Sequence, residues 1–301
     1  MILGELDSYM SAIDYINESR KKDVTYANYV QQALNFVQQQ LSSLNEYLVK
    51  KGRLKCDAEI RIKNSDVINA EISVFAFYIN TGVFSACYNL ELTKYKFMFK
   101  STLIQNILSR NPIEFPSSLI MNHELSHIYR AHGDVENTNI NENLFVRATE
   151  MDADLLSVAK LYRGLQSNLK NIETDDSEIR CLVLLSSMEA LGAMQKHSNG
   201  FIYQKPEERL WDIILKLSHL KEDPESHIPV DVNGSSDTTR NNLTYLMDFI
   251  MKYKESSQPD DPIVLFIDNL LNYIMSSRQS GTISAWSKIK ENVSITSKTQ
   301  V

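Results

Sequence analysis

The sequence predicts an α+β fold that is predominantly helical and carries one small antiparallel sheet. An apolar share of 43% and a charged share of 23% over 301 residues are typical of globular proteins with a sizeable core. Only 9 glycines and 7 prolines favour long helices over a turn-rich β architecture. One segment, residues 54–99, departs from helical periodicity and is the predicted location of the sheet.

The N-terminal segment, residues 1–52, is predicted to be helical. Apolar residues such as Val30, Leu34 and Val37 recur at three- and four-residue steps, which is the spacing of one helix face. We therefore expect one or two amphipathic helices between about residues 5 and 51.

Residues 54–99 alternate between apolar and polar side chains, a pattern that predicts antiparallel strands. Within them, residues 72–90 are uncharged over nearly the length of a membrane-spanning helix. Asn80 and Ser85 would then lie in lipid, which is costly. We predict instead two buried strands around a turn at Asn80-Thr81-Gly82.

Charge and cysteine content restrict the partners and the compartment. A net charge of −7 without a dense Lys/Arg cluster argues against nucleic acid as a partner. The acidic N-terminus lacks the basic region of a signal peptide. The three cysteines, Cys56, Cys87 and Cys181, form neither a disulfide framework nor a CxxC metal knuckle. We expect a cytoplasmic protein with reduced thiols and no membrane partner.

Start and stop signals predict helices through the rest of the chain. A serine cap after Pro116 and a terminating Gly133 delimit the first of them. A second helix is expected from about Leu144, and a third over about residues 177–196. Prolines at 259 and 262 separate two further helical runs within residues 247–275, downstream of a polar loop at residues 222–242.

These elements predict a chain in four parts. The parts are an N-terminal helical segment (1–52), a core (53–220), a mobile loop with C-terminal helices (221–275) and a Ser/Thr/Lys-rich, poorly ordered tail (276–301).

The motif that carries chemistry is His123-Glu124-Leu125-Ser126-His127, an HExxH sequence on the first predicted helix. Side chains at i and i+4 share one helix face, so both imidazoles can bind one metal ion. Glu124 points toward the flank of that face, where it can deprotonate a water molecule at the metal as general base.

A third ligand is expected in the run from Glu150 to Asp154 on the second predicted helix. We assign Glu150 as the ligand, because two histidines and one glutamate form a catalytic zinc set that leaves one position open. Asp154, one turn later, is predicted to accept the free ring N–H of a ligating histidine. The cofactor is then one Zn²⁺ ion per chain.

Other interpretations of these residues remain open. His132 and Asp134 are competing ligands, although they follow the predicted end of the helix. An acidic run such as residues 150–154 is often a solvated helix face, and an HExxH sequence can be a buried histidine pair. The two motifs together, in this order on two predicted helices, favour a metal site.

Residues 119–161 resemble the gluzincin peptidases, in which HExxH on one helix is followed by ExxxD on the next. In that group the segment is similar to the soluble Lit-like phage-exclusion peptidases and to the HtpX-type membrane peptidases. The resemblance implies a zincin-like core with a small sheet beside the HExxH helix. It also implies a zinc-dependent endopeptidase that acts on one specific protein, in phage defence or stress signalling.

The same resemblance directs attention to a downstream segment that ends in Arg209-Leu210. Related peptidases carry a histidine before this arginine, near the reacting carbonyl, and the aligned position here is Tyr203. Its phenol is a candidate donor to the developing oxyanion. His197 is a second candidate, and the alternative is a surface turn with Pro206 at a helix start.

Substrate access is expected at the edge of the sheet, to which an extended peptide can add as a strand. The connector at residues 134–143 and the loop at residues 222–242 are candidate covers of the cleft. Two other functions stay open at this point: a non-catalytic regulatory binding protein on a zincin scaffold, and a metal-dependent hydrolase of a small molecule. No pattern in the sequence indicates an oligomeric state.

Overall fold

Helices dominate the computed structural model of the chain. The described residues are 9–53, 58–66, 70–72, 76–110, 112–130, 132, 141–169, 175–195, 205–220 and 236–275. The strands are β1 (Tyr9–Ser11), β2 (Glu59–Lys63), β3 (Ala70–Ile72) and β4 (Ala76–Asn80). The helices are α1 (Ala12–Lys22), α2 (Val24–Lys50), α3 (Thr81–Tyr88), α4 (Thr102–Ser109), α5 (Glu114–Tyr129), α6 (Glu142–Leu169), α7 (Asp176–Gln195), α8 (Pro206–His219), α9 (Asp237–Ser256) and α10 (Pro262–Met275). The predicted α+β class with a helical majority is confirmed.

The sheet is mixed, so the prediction of a purely antiparallel sheet was wrong. Its strand order is β1-β2-β4-β3, with β1·β2 and β3·β4 antiparallel and β2·β4 parallel. After β2 the chain crosses to the outer edge of the sheet and forms β3. It then returns as β4, which lies between β2 and β3. The two central strands therefore point the same way. β1 was also not predicted, because it lies inside the segment assigned to helices.

The predicted turn at Asn80-Thr81-Gly82 does not exist, because α3 begins at Thr81 directly after β4. The Thr81 hydroxyl donates to the carbonyl of Ser65 and accepts from its amide, both at 3.0 Å, which fixes this strand-to-helix junction. A short, continuous apolar run has no periodicity that separates a buried strand from a buried helix. Residues 92–98 form a 3-10 helix rather than a strand.

The helix that carries the HExxH motif, α5, begins at Glu114, three residues before the predicted serine cap. Pro116 lies in its first turn, where a missing N–H costs nothing, and the Ser117 hydroxyl donates to the carbonyl of Glu114 at 3.0 Å. At the other end, the Arg53 guanidinium donates to the carbonyls of residues 128 and 129 at 3.2 and 3.1 Å. Carbonyls in the last turn of a helix have no i+4 amide partner within it, so these two bonds stabilise this end of α5. The predicted stop signal, Gly133, lies outside the described residues.

The later helices follow the predicted order. α6 begins two residues before the predicted Leu144, and α7 matches the predicted span within one residue at each end. The prolines at 259 and 262 do separate α9 from α10. The predicted loop at 222–242 is helical from Asp237 onward; residues 221–235 and the predicted tail, 276–301, lie outside the described residues.

Two hydrophobic clusters form the core, and α5 contributes to both. One cluster contains residues of α4 and of each helix from α6 through α10, and it includes Leu119 of α5. The other joins α1, α2, α3 and the sheet, and includes Ile120, Met121 and Leu125. Every side chain from residue 116 to residue 126 is buried except Glu124, which is partly buried. The motif is therefore carried by a helix enclosed on several sides.

Within the described helices, none combines the length and the apolar character needed to cross a membrane. Cys87 and Cys181 are buried free thiols, while Cys56 lies outside the described residues.

Candidate metal centre

Three predicted ligands meet where α5 packs against α6. Nε2 of His123 lies 3.3 Å from Nε2 of His127 and 3.0 Å from Oε2 of Glu150. Nε2 of His127 lies 3.5 Å from Oε1 of the same carboxylate. With metal–ligand bonds of about 2.0–2.2 Å, tetrahedral geometry separates neighbouring ligand atoms by about 3.3–3.6 Å. Two of the three separations lie in this range and the His123–Glu150 separation is shorter, so the three side chains could hold one small cation after a small shift of the carboxylate.

Among the described residues, these three are the only group of at least three His, Cys, Asp or Glu side chains with this convergence. His132 does not join it: its ring lies behind His127, with the two Nδ1 atoms 2.9 Å apart. His132 lies at Nδ1 of the His127 ring, whereas the other ligands lie at Nε2, so His132 cannot bind the same ion. Asp134 lies outside the described residues.

Asp154 lies beside the far nitrogen of His123, with Oδ1 2.8 Å from Nδ1. An ionised carboxylate only accepts, so His123 donates from Nδ1 and keeps a lone pair on Nε2. Burial would raise the pKa of Asp154, but the charges of Arg209 and then His123 outweigh it and hold this pKa well below the usual range. Asp154 thus stays an acceptor.

Arg209, in the first turn of α8, contacts both oxygens of Asp154 at 2.7 Å. A bidentate guanidinium–carboxylate pair of this kind fixes the carboxylate plane. In the sequence, Arg209 stands out only through the resemblance, which does not predict this contact. No spacing rule connects a residue on α8 with one on α6, so the resemblance was the only available signal.

The metal-facing atoms are all acceptors in this arrangement. His123 Nε2 and a Glu150 oxygen face each other without a hydrogen-bond donor unless a proton or a cation lies between them. Although burial opposes it, the charges of Glu150 and Asp154 hold the pKa of His123 well above its usual value. Burial and the His123 charge lower the pKa of His127 to about 3. A proton or a metal ion can therefore occupy the same position.

Glu124 lies at the rim of the cluster, with Oε1 4.0 Å from Nε2 of His123 and 17% of its side chain exposed. Burial raises the pKa of its carboxyl to about 8, against the opposing charge of His123 and with support from Glu150 and Glu71. Glu71 belongs to the edge strand β3, which packs on α5. The carboxyl of Glu124 therefore lies beside the ligands, on a helix that packs against the edge strand.

The two candidate oxyanion donors, Tyr203 and His197, lie outside the described residues. The described chain resumes at Lys205, and Pro206 occupies the first position of α8. This agrees with the helix start that the alternative interpretation of the segment predicted.

In comparisons with known proteins, no family model matches the chain, and no curated protein or solved structure matches it either.

Proposed function

We propose that the protein is a zinc-dependent endopeptidase of the gluzincin type, acting on a specific protein substrate. The observation that supports this most strongly is the convergence of three lone-pair atoms from His123, His127 and Glu150, with the Glu124 carboxyl beside them. A purely structural metal site has no need of an uncoordinated carboxyl group at its rim.

In this proposal, His123, His127 and Glu150 would hold the ion. The chemistry that a zinc ion would supply there is a lower pKa for a water molecule and a polarised peptide carbonyl. Glu124 removes a proton from the water as its oxygen bonds to the carbonyl carbon. Glu124 then gives that proton to the leaving amine as the C–N bond breaks, so the products are a carboxylic acid and an amine.

The surroundings of the cluster support a zincin-like substrate path. β3 is an outer strand of the sheet and lies against α5, the helix that carries His123 and His127. An extended peptide can add to an outer strand of a sheet, which here would align its carbonyl with the ligands. A role in phage defence or stress signalling follows only from the Lit-like resemblance and belongs to the same proposal.

The experiment combines metal analysis with a cleavage assay. Metal content is measured by mass spectrometry on the wild type, Glu124→Gln and Glu150→Gln. The matched control is Glu142→Gln, because Glu142 is exposed and lies on α6, as Glu150 does. Cleavage is measured by mass spectrometry of new N-termini, both in a peptide library and in a cell lysate whose proteins are folded. We expect one zinc per chain in all but Glu150→Gln.

Glu124→Gln should retain zinc and lose cleavage by about 10²-fold or more, because the amide cannot accept the proton. Cleavage that survives in Glu124→Gln would remove the general-base assignment. A wild type that binds zinc but cuts nothing would favour the regulatory binding protein, and a wild type without metal would end the proposal.

A further inference from the structure

On the side of His127 away from the other ligands, a chain of polar contacts runs from Asp152 through His132 to the His127 ring. His132 lies just beyond α5, with Nδ1 2.9 Å from Nδ1 of His127 and Nε2 3.2 Å from Oδ2 of Asp152. Only 5% of His132 and 6% of Asp152 is exposed. In such a site each polar atom needs a partner, so the direction of every hydrogen bond matters.

The directions follow from the acceptor at the far end. Nε of Arg130 lies 3.1 Å from Oδ2 of Asp152, and a carboxylate that is paired with a guanidinium offers only acceptor oxygens. His132 must then donate from Nε2. A neutral imidazole has a single N–H, so Nδ1 of His132 accepts, and His127 is the donor from its own Nδ1.

The consequence for His127 is that its remaining lone pair lies on Nε2, the atom that faces His123 and Glu150. The opposite tautomer of His127 would place a proton on Nε2 and prevent it from binding a metal ion. Asp154 imposes the matching tautomer on His123. Two independent acceptors, one behind each imidazole, thus prepare the two nitrogen ligands.

We propose that His132 is a positioning residue which, supported by Asp152, sets the tautomer and ring orientation of His127 for metal binding. This inference rests on the proposed metal site and deepens it. His132 itself touches neither the metal position nor the substrate. Its contribution is to metal affinity, because hydrogen-bonding partners of a ligating histidine commonly change affinity by about 10–100-fold.

The first test replaces the ring without losing its bulk. His132→Phe keeps an aromatic side chain in the buried position and removes both nitrogens, whereas Asp152→Asn keeps an acceptor oxygen and removes the charge. Zn²⁺ affinity is measured by competition with a chromophoric chelator. We expect a loss of about 10–100-fold for His132→Phe and a smaller loss for Asp152→Asn.

Ser126→Ala is the matched control, because it also removes a buried hydrogen bond on α5, from its hydroxyl to the carbonyl of Asn122 at 2.6 Å. It should leave Zn²⁺ affinity within about twofold. Equal affinity of His132→Phe and wild type overturns the inference while the metal site stands. A wild type that binds no Zn²⁺ overturns the proposed function instead.

A second measurement needs no substitution and covers the case in which His132→Phe fails to fold. Long-range ¹H–¹⁵N NMR of the Zn²⁺-loaded wild type reports which ring nitrogens carry protons. We expect His132 to be protonated on Nε2 alone and His127 on Nδ1. A His132 ring protonated on both nitrogens, or on Nδ1 alone, contradicts the inference because it would then donate to His127.

Discussion

Lys160, on α6, is a partly buried amine that lies over an aromatic ring and close to another cation. Its Nζ is 5.2 Å from the ring centre of Tyr129. Burial, and then the charge of Arg130, lower the pKa of Lys160 to about 8. The unfolded chain holds this proton more tightly, with a pKa near 10.5. Below pH 8 the folded protein therefore carries an unfavourable charge.

Lys160→Met should raise the free energy of unfolding at pH 7 by roughly 1–3 kcal/mol, since each pKa unit corresponds to about 1.4 kcal/mol and relaxation reduces the effect. Between pH 8 and pH 10.5 the amine is charged in the unfolded chain but neutral in the folded one. The difference in free energy of unfolding between Lys160→Met and the wild type should therefore shrink as the pH rises. Urea unfolding of both proteins at pH 7 and pH 10 measures this. Lys50→Met, at an exposed position of α2, is the control, and a pH-independent difference would contradict the assignment.

Individual residues differ in how far sequence alone could place them. His123 and His127 share a helix face by periodicity, and the ExxxD spacing brings Glu150 and Asp154 together for the same reason. The contacts of Arg209 and His132 depend on where α8 docks and where the chain turns after α5. No local rule determines either contact, so neither was predicted, whereas the position of Asp154 beside His123 was predicted.

At the scale of elements, α7 and α10 approach closely at Gly192. A Cβ atom added there would lie 2.9 Å from Cγ1 and 3.1 Å from Cδ1 of Ile263, which is closer than side chains pack. Gly192→Ala should therefore lower the free energy of unfolding by about 1–3 kcal/mol through overpacking. Removing the obstacle, in the Ile263→Ala background, should reverse the sign to a gain of about 0.5–1 kcal/mol from helix propensity.

Gly164→Ala on α6 is the matched control, since no side chain or neighbouring backbone among the described residues lies within 4 Å of the added atom. It should stabilise the protein by up to about 1 kcal/mol. Denaturant unfolding is measured for Gly192→Ala, Ile263→Ala, the double variant and Gly164→Ala. The first three give the coupling energy between positions 192 and 263 directly. Additive effects of the two substitutions would show that α7 and α10 do not constrain each other at this point.

The elements that sequence could not predict share a physical cause. α3 and β4 form one continuous apolar stretch, and burial on all sides removes the periodicity that distinguishes helix from strand. The parallel pairing of β2 with β4 depends on the return of β3 along the outer edge, which is a long-range choice. By contrast α2, with one buried face, was predictable from its apolar spacing alone.

At the scale of the whole molecule, α5 links the two core clusters, and the candidate metal centre joins α5 to α6. Leu119 packs in one cluster, while Met121 and Leu125 pack in the other. An ion held by His123, His127 and Glu150 would thus connect a helix shared by both clusters to a helix of one of them. Its binding free energy should therefore stabilise the whole fold.

This coupling predicts that metal removal lowers thermal stability. A ligand present at 100 times its Kd contributes about 2.7 kcal/mol to folding, which corresponds to a decrease in Tm of roughly 5 °C for a chain of this size. Differential scanning calorimetry of the zinc-loaded wild type, with and without EDTA, measures the change. Glu150→Gln should show almost no response to EDTA, whereas Glu142→Gln should respond like the wild type.

The shape of the transition separates two ways in which the metal can act. If the ion stabilises the fold through α5, EDTA should move the single transition of both clusters together, because each includes part of that helix. If it only stiffens the α5–α6 contact, a first, smaller transition should split off and the main one should stay in place. A Tm that EDTA leaves unchanged in zinc-containing wild type would show that the centre contributes nothing to folding.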